Sequence, residues 1–190
     1  MERTWNAAIV VPMHFTYVIG SGYHNVKIGH SNAARRRLLD LRTGSAVEIW
    51  LAHTWELDRP AAIKLEAALH AAFEPWVMSG EWFSILAPPV VAVGDLIVAE
   101  RADDAKRLVE IIRRREAIPA EDAELRQAWR HVPGLQRRRV ELEAAARRKA
   151  LDAEGAALQL EAYDLGLLPD GVTNSRWLPR RLDELRQRAA

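Results

Sequence analysis

The chain has 190 residues, 49% of them apolar and 28% charged, so a packed core is available and the composition argues against wholesale disorder. Lysine and arginine (27) nearly balance aspartate and glutamate (26), and the resulting net charge of +1 gives no global electrostatic footprint for nucleic acid, leaving local clusters to argue from. The absence of cysteine excludes disulfides, thiolate zinc sites and a cysteine nucleophile; with no signal-peptide core and no apolar run near the roughly 20 residues of a membrane span, the expectation is a soluble, cytoplasmic protein with no membrane partner.

The first residues carry mixed signals: Ala8-Ile9-Val10-Val11 is a short apolar run stopped by Pro12, readable as a lead-in strand or an arm. Phe15 to Gly20 and Val26 to Gly29 are rich in β-branched and aromatic residues, and the turn formers Ser21-Gly22-Tyr23-His24-Asn25 separate them. That pattern predicts a β-hairpin. Side chains alternate along a strand, so Tyr17 and Ile19 share a face of the first strand, and Lys27 and Gly29 share a face of the second. Ser31 and Asn32 are N-cap candidates for a helix through Arg37, Leu38 and Leu41 that Thr43-Gly44 ends. Val47, Ile49 and Leu51 then alternate with Glu48, Trp50 and Ala52, which predicts the third strand of an antiparallel sheet. Asp58 as N-cap and Pro60 in the first turn open a second helix, through Ile63, Leu65, Leu69 and Phe73 to Pro75. On it Glu66 and His70 lie one helical turn apart and share a face.

Gly80 to Leu86 returns to extended backbone, and Pro88-Pro89 marks the expected domain boundary. The fold class expected for 1–89 is α/β (α+β), a small three-stranded antiparallel sheet flanked by helices; 90–190 is expected to be an all-helical region for targeting, assembly or DNA contact. Within that region, Val90 to Arg115 reads as helix with a break near Gly94-Asp95. Pro119 opens a short helix to Trp129, Val132-Pro133-Gly134 is a turn, Leu135 to Tyr163 is a long charged helix, and a last helix runs from about Pro179 to Arg188. Val140, Leu142, Leu151, Leu158 and Leu160 are too sparse for a long coiled coil. A homo-oligomer through this region is left open.

Several side chains are suited to phosphate chemistry. The run Arg35-Arg36-Arg37 is ordinarily a solvated helix face, but a planar, permanently charged guanidinium also matches phosphate oxygens. Glu66 is ordinarily a surface residue too; facing a cleft with His70, it suits Mg²⁺ (or Mn²⁺), which needs only one or two protein carboxylates. The Glu66–His70 spacing also fits half a zinc site, but no third ligand has matching spacing. Tyr17, Tyr23, His24, His30 and His70 are the proton-transfer candidates crowded around the hairpin. Lys27, between Val26 and Ile28, must reach solvent or a polar site, where it would bind phosphate or, with a lowered pKa, act as a base. The basic groups at 113–115, 137–139 and 147–149 are interleaved with acids and read as solvated helix surface.

Taken together, the stretch from Tyr17 to Phe83 resembles the GIY-YIG nuclease superfamily, in the compact branch whose second motif reads Lys-Ile-Gly. Phe15-Thr16-Tyr17 stands at the first tripeptide and keeps its tyrosine. Lys27-Ile28-Gly29 stands at the second, with lysine in place of the leading tyrosine. Arg37 falls at the family's spacing from Gly29; Leu38, Leu41, Thr43 and Gly44, then Glu66, Leu69, His70 and Phe73, then Gly80, Glu81, Trp82 and Phe83 continue the pattern. The resemblance implies a prokaryotic or phage-encoded, metal-dependent DNA endonuclease in which Tyr17 and Lys27 line the site, Arg37 stabilises the phosphate and Glu66 binds the metal. His70 completes the expected catalytic set, with Gly29, Tyr23, His30 and Glu81 as accessory residues. Two other readings stand beside it: a DNA-binding module that does not cut, and a helical assembly protein carrying a relic nuclease domain.

Overall fold

The computed structural model describes residues 13–128, 134–170 and 178–190. The expected lead-in at Ala8 to Val11, the helix end at Trp129 and the turn at Val132-Pro133 lie outside them. Two compact units divide between Val98 and Ala99.

The first unit is α+β. Strands β1 (His14–Ser21) and β2 (Val26–Ser31) form the hairpin. Its turn places His24 at φ 61°, a left-handed conformation that histidine tolerates better than a β-branched residue would. Tyr17 pairs with Gly29 and Ile19 with Lys27, so all four positions share one face of the ladder. Strand β3 (Ile49–Leu57) adds to the other edge of β1. Ile19 pairs with Leu51 but Val18 with His53, which makes Ala52 an inserted residue. The bulge keeps Ile49 and Leu51 on the Tyr17 face and turns Trp55 to the opposite one.

The expected three-stranded sheet is corrected to a five-stranded one, in the order β3-β1-β2-β5-β4. Strands β4 (Val77–Ser79) and β5 (Trp82–Phe83) are too short to show a period of two in sequence. They turn about Gly80, at φ 58°, and join β2 through the pairs Val26–Phe83 and Lys27–Trp82.

Helix α1 (Ala34–Thr43) covers the Tyr17 face, where Tyr17, Ile19, Ile49, Ala34 and Leu38 form a buried cluster. Its N-cap is Ala33, without a side-chain cap; Ser31 Oγ instead accepts from the Ala33 N–H at 3.0 Å, so neither Ser31 nor Asn32 holds the N-cap position. Helices α2 (Arg59–Ala72) and α3 (Ala87–Val98) cover the other face. Asp58 caps α2 by accepting from the Ala61 N–H at 2.7 Å. The buried stripe of α2 is Ala62, Leu65 and Leu69, and Ile63, about 100° around the helix from Ala62, is exposed. Thr16 donates to the Ala62 carbonyl at 2.9 Å, and Trp55 Nε1 donates to Asp95 at 2.8 Å, pinning α2 and α3 to the sheet. A Cβ on Gly94 would lie 2.6 Å from Trp55 Cη2, so this close crossing requires glycine. Pro88-Pro89 sit in the first turn of α3, where a missing N–H leaves no bond unmade, and α3 belongs to the first unit through buried Val90, Val93 and Leu96.

The second unit is helical: α4 (Ala102–Ala128), α5 (Gly134–Asp164) and α6 (Leu178–Ala189), with α5 packed against both others. Leu108, Ile111, Ile112, Leu151, Leu182 and Leu185 are buried in it. Pro119, expected to open a separate helix, lies inside α4. The helix continues through it packed against α5, with Arg114 paired to Glu121 beyond the proline (3.3 Å from Nη2) and to Glu154 of α5 (2.6 Å). Arg139 with Glu143, Arg147 with Glu121, Arg148 with Asp122 and Arg115 with Asp170 are likewise ion-paired. Among the described residues no helix is long and apolar enough to cross a membrane.

Candidate functional site

The hairpin builds the floor of the site. Tyr17 is 2% exposed, and its ring lies across the backbone of Gly29. A Cβ at position 29 would stand 2.7 Å from the phenol Cζ, so glycine is needed for the ring to take this path. The pairing of Tyr17 with Gly29 thus fixes where the hydroxyl ends. The first turn of α1 brings the Arg37 guanidinium beside that hydroxyl. Burial raises the Tyr17 hydroxyl above the usual tyrosine range; Arg37 offsets part of the rise, and the carboxylates of Glu81 and Glu66 add to it. Tyr17 is therefore a neutral phenol near neutral pH.

Lys27 is buried on the same face and ion-paired to Glu81, with side-chain exposures of 8% and 45% respectively. The tight turn at Gly80 and a hydrogen bond from the Ile28 N–H to the Glu81 carbonyl, at 3.1 Å, set the Glu81 backbone against β2. Burial works against the Glu81 carboxylate, but Lys27, with His70 and Arg37 beyond it, outweighs that effect and holds the carboxyl below the usual carboxylate range.

Helix α2 supplies the remaining groups. Its period of 3.6 presents Glu66 and His70 together, and both reach β2. His70 Nε2 lies 3.2 Å from the Ile28 carbonyl, an acceptor only, so this nitrogen carries the proton and donates; the ring also meets Phe83 edge-on at 5.1 Å. Glu66 Oε2 accepts from His30 Nδ1 at 2.6 Å, leaving the Nε2 lone pair of His30 directed elsewhere. Glu66 and His30 have side-chain exposures of 17% and 34%, so both stay within reach of a ligand. Strand β5 pairs with β2 only at Val26 and Lys27, so among the described residues no strand pairs with the outer edge of β2 at Gly29, which is buried, and His30, which is half-buried. Around that edge the carboxylate of α2 comes within electrostatic range of Tyr17.

The geometry thus gathers Tyr17, Lys27, Arg37, Glu66, His70, Gly29, His30 and Glu81 of the expected residues. Tyr23 is not among them: it is 69% exposed in the hairpin turn. His24 is exposed in that same turn. The sequence signal missed two pairings, Lys27 with Glu81 and His30 with Glu66, because each joins residues far apart in the chain.

A divalent cation fits these residues in one way. Among the described residues no three histidine, aspartate or glutamate side chains converge as a complete cage. Glu66 has one oxygen held by His30 and a second that can bind, the donor set of an Mg²⁺ site completed by water and substrate oxygens. The His30 hydrogen bond is the kind of outer contact that orients such a carboxylate. Comparison of the chain with protein-family models, curated proteins and solved structures gave no significant match, so the reading of the site rests on its own residues.

Proposed function

We propose that the chain is a metal-dependent DNA endonuclease of GIY-YIG type that hydrolyses phosphodiester bonds, with the first unit as its catalytic domain. The observation that carries this reading is the convergence of the Tyr17 hydroxyl, the Arg37 guanidinium and the Glu66 carboxylate around strand β2. A cation, a carboxylate able to hold Mg²⁺ or Mn²⁺, and a neutral hydroxyl within electrostatic range of one another match the needs of in-line attack on a phosphodiester.

Arg37 grips the scissile phosphate and neutralises the charge that grows on it. Tyr17, a neutral phenol, donates to a phosphate oxygen or to the attacking water. His30, its ring oriented by Glu66, presents Nε2 as the acceptor for the proton of that water. Bound at Glu66, the divalent ion supplies polarisation of the phosphate and stabilisation of the leaving oxygen. The reading is tested by incubating the protein with supercoiled plasmid in Mg²⁺, in Mn²⁺ and in chelator; metal-dependent nicking is expected.

One observation favours the second reading, a DNA-binding module that does not cut. Lys27 stands where the superfamily has its second tyrosine, and it is engaged by Glu81. Salt-dependent affinity without nicking in either metal would select that reading.

A further inference from the structure

Lys27, Arg37 and His70 all act on one carboxylate, that of Glu81. We infer that Glu81 is a displaceable latch that fills the phosphate-binding position on Lys27 in the free protein and yields it to the phosphodiester backbone of DNA. This rests on the nuclease reading of the site and adds to it a means of regulating substrate entry.

The arrangement has the properties such a latch requires. Lys27 is almost wholly buried, so its ammonium must be paired in the free protein, and Glu81 pairs with it. The carboxylate end of that pair is nearly half exposed, at 45%, so a ligand can reach it from solvent. A carboxylate and a phosphodiester each carry one negative charge, so the exchange keeps Lys27 neutralised throughout. Glu81 sits on the turn between a strand of 3 residues and one of 2, and its backbone is held to β2 by the Ile28 N–H, so the exchange needs only its half-exposed side chain to swing away. Arg37 is exposed on α1 and stands beside Tyr17, so a phosphate that replaces Glu81 on Lys27 arrives in the field of the guanidinium assigned to the scissile group.

Glu81→Gln keeps the shape and removes the charge, and it separates a latch from a structural prop. For a latch, the variant binds a short DNA duplex about tenfold more tightly than the parent by fluorescence anisotropy at low salt. It also melts at a lower temperature without DNA, because Lys27 has lost its counter-charge. The slope of log affinity against log salt stays near that of the parent, since the Lys27–phosphate contact, worth about 0.9 in that slope, forms in both complexes. Glu81→Asp, which keeps the charge, stays near the parent in all three. Parent binding with unchanged or weaker binding by Glu81→Gln overturns the latch and leaves the nuclease reading standing. Failure of parent and variant alike to bind DNA overturns both. If Glu81→Gln is too unstable to handle, the comparison is made with Lys27→Gln, which removes the charge that Glu81 holds. A latch then predicts a slope shallower than the parent by the same amount, and an unchanged slope overturns it.

Discussion

Tyr17 and Gly29 face each other across the β1–β2 ladder, and the phenol ring occupies the space that any side chain at position 29 would need. Gly29→Ala must push the ring aside. The expected cost is roughly 1–3 kcal/mol of stability, the usual range for forcing extra volume into a packed site. Cleavage should fall further than stability, because the hydroxyl is displaced from Arg37. Tyr17→Phe keeps the ring and loses only the hydroxyl, so it should lower cleavage with little change in melting temperature.

Among the three adjacent arginines, only Arg37 is placed beside Tyr17. Arg37→Ala should reduce cleavage by about 10²–10³-fold, the scale for losing one preorganised donor to a developing charge. Arg35→Ala and Arg36→Ala should stay close to the parent. Arg37→Lys should not restore activity, since an ammonium cannot reproduce the planar two-point grip. Rates measured on one plasmid substrate at saturating Mg²⁺ decide this.

His30 is given two duties, orienting Glu66 and taking a proton, and two substitutions divide them. His30→Asn can still donate to Glu66 and should keep the metal affinity of the parent while losing the proton acceptor, so that nicking falls even at saturating metal. His30→Ala loses both, with metal affinity expected to fall about 10–100-fold, the usual effect of removing an outer-shell partner. Titration of nicking against Mg²⁺ concentration at several pH values reads the two effects separately.

The Tyr17 hydroxyl is raised above the usual tyrosine range by burial. The folded state therefore holds this proton more tightly than the unfolded chain does. Its contribution to stability is complete below the ordinary tyrosine value and is lost as pH rises from there through the folded value. Glu81 works in the opposite direction: held below the usual carboxylate range, it contributes above that range, and the contribution is lost as pH falls through its folded value. Ultraviolet difference titration should show a tyrosine ionising late in the parent, and that component should vanish in Tyr17→Phe.

The hairpin was legible because β-branched and aromatic residues flank a turn-forming run, and the shared face of Glu66 and His70 was legible because helical periodicity is local. Position Lys27 announced itself as a charge inside a short strand. Its answer, Glu81, lies 54 residues away on a turn between strands too short to carry a pattern. His30 and Glu66 are separated by 36 residues and meet only once α2 has packed on the sheet. The bulge at Ala52 hid the true face of Trp55, because a period of two cannot be read through an inserted residue. Pro119 misled for the converse reason: its local signal is strong, but the packing of α4 on α5 carries the helix through. What stayed illegible in each case depends on partners that only the tertiary fold supplies.

One site, built on Arg37 and Glu66, is proposed to cut DNA with the help of a divalent ion. The most direct measurement is nicking of supercoiled plasmid by the parent, Glu66→Ala and Arg37→Ala, each in Mg²⁺, in Mn²⁺ and in chelator, with folding checked by circular dichroism. The expected result is nicking by the parent in metal alone and loss of nicking, with folding kept, in both variants. Cleavage that persists in both variants, or a parent that nicks in neither metal, would contradict it.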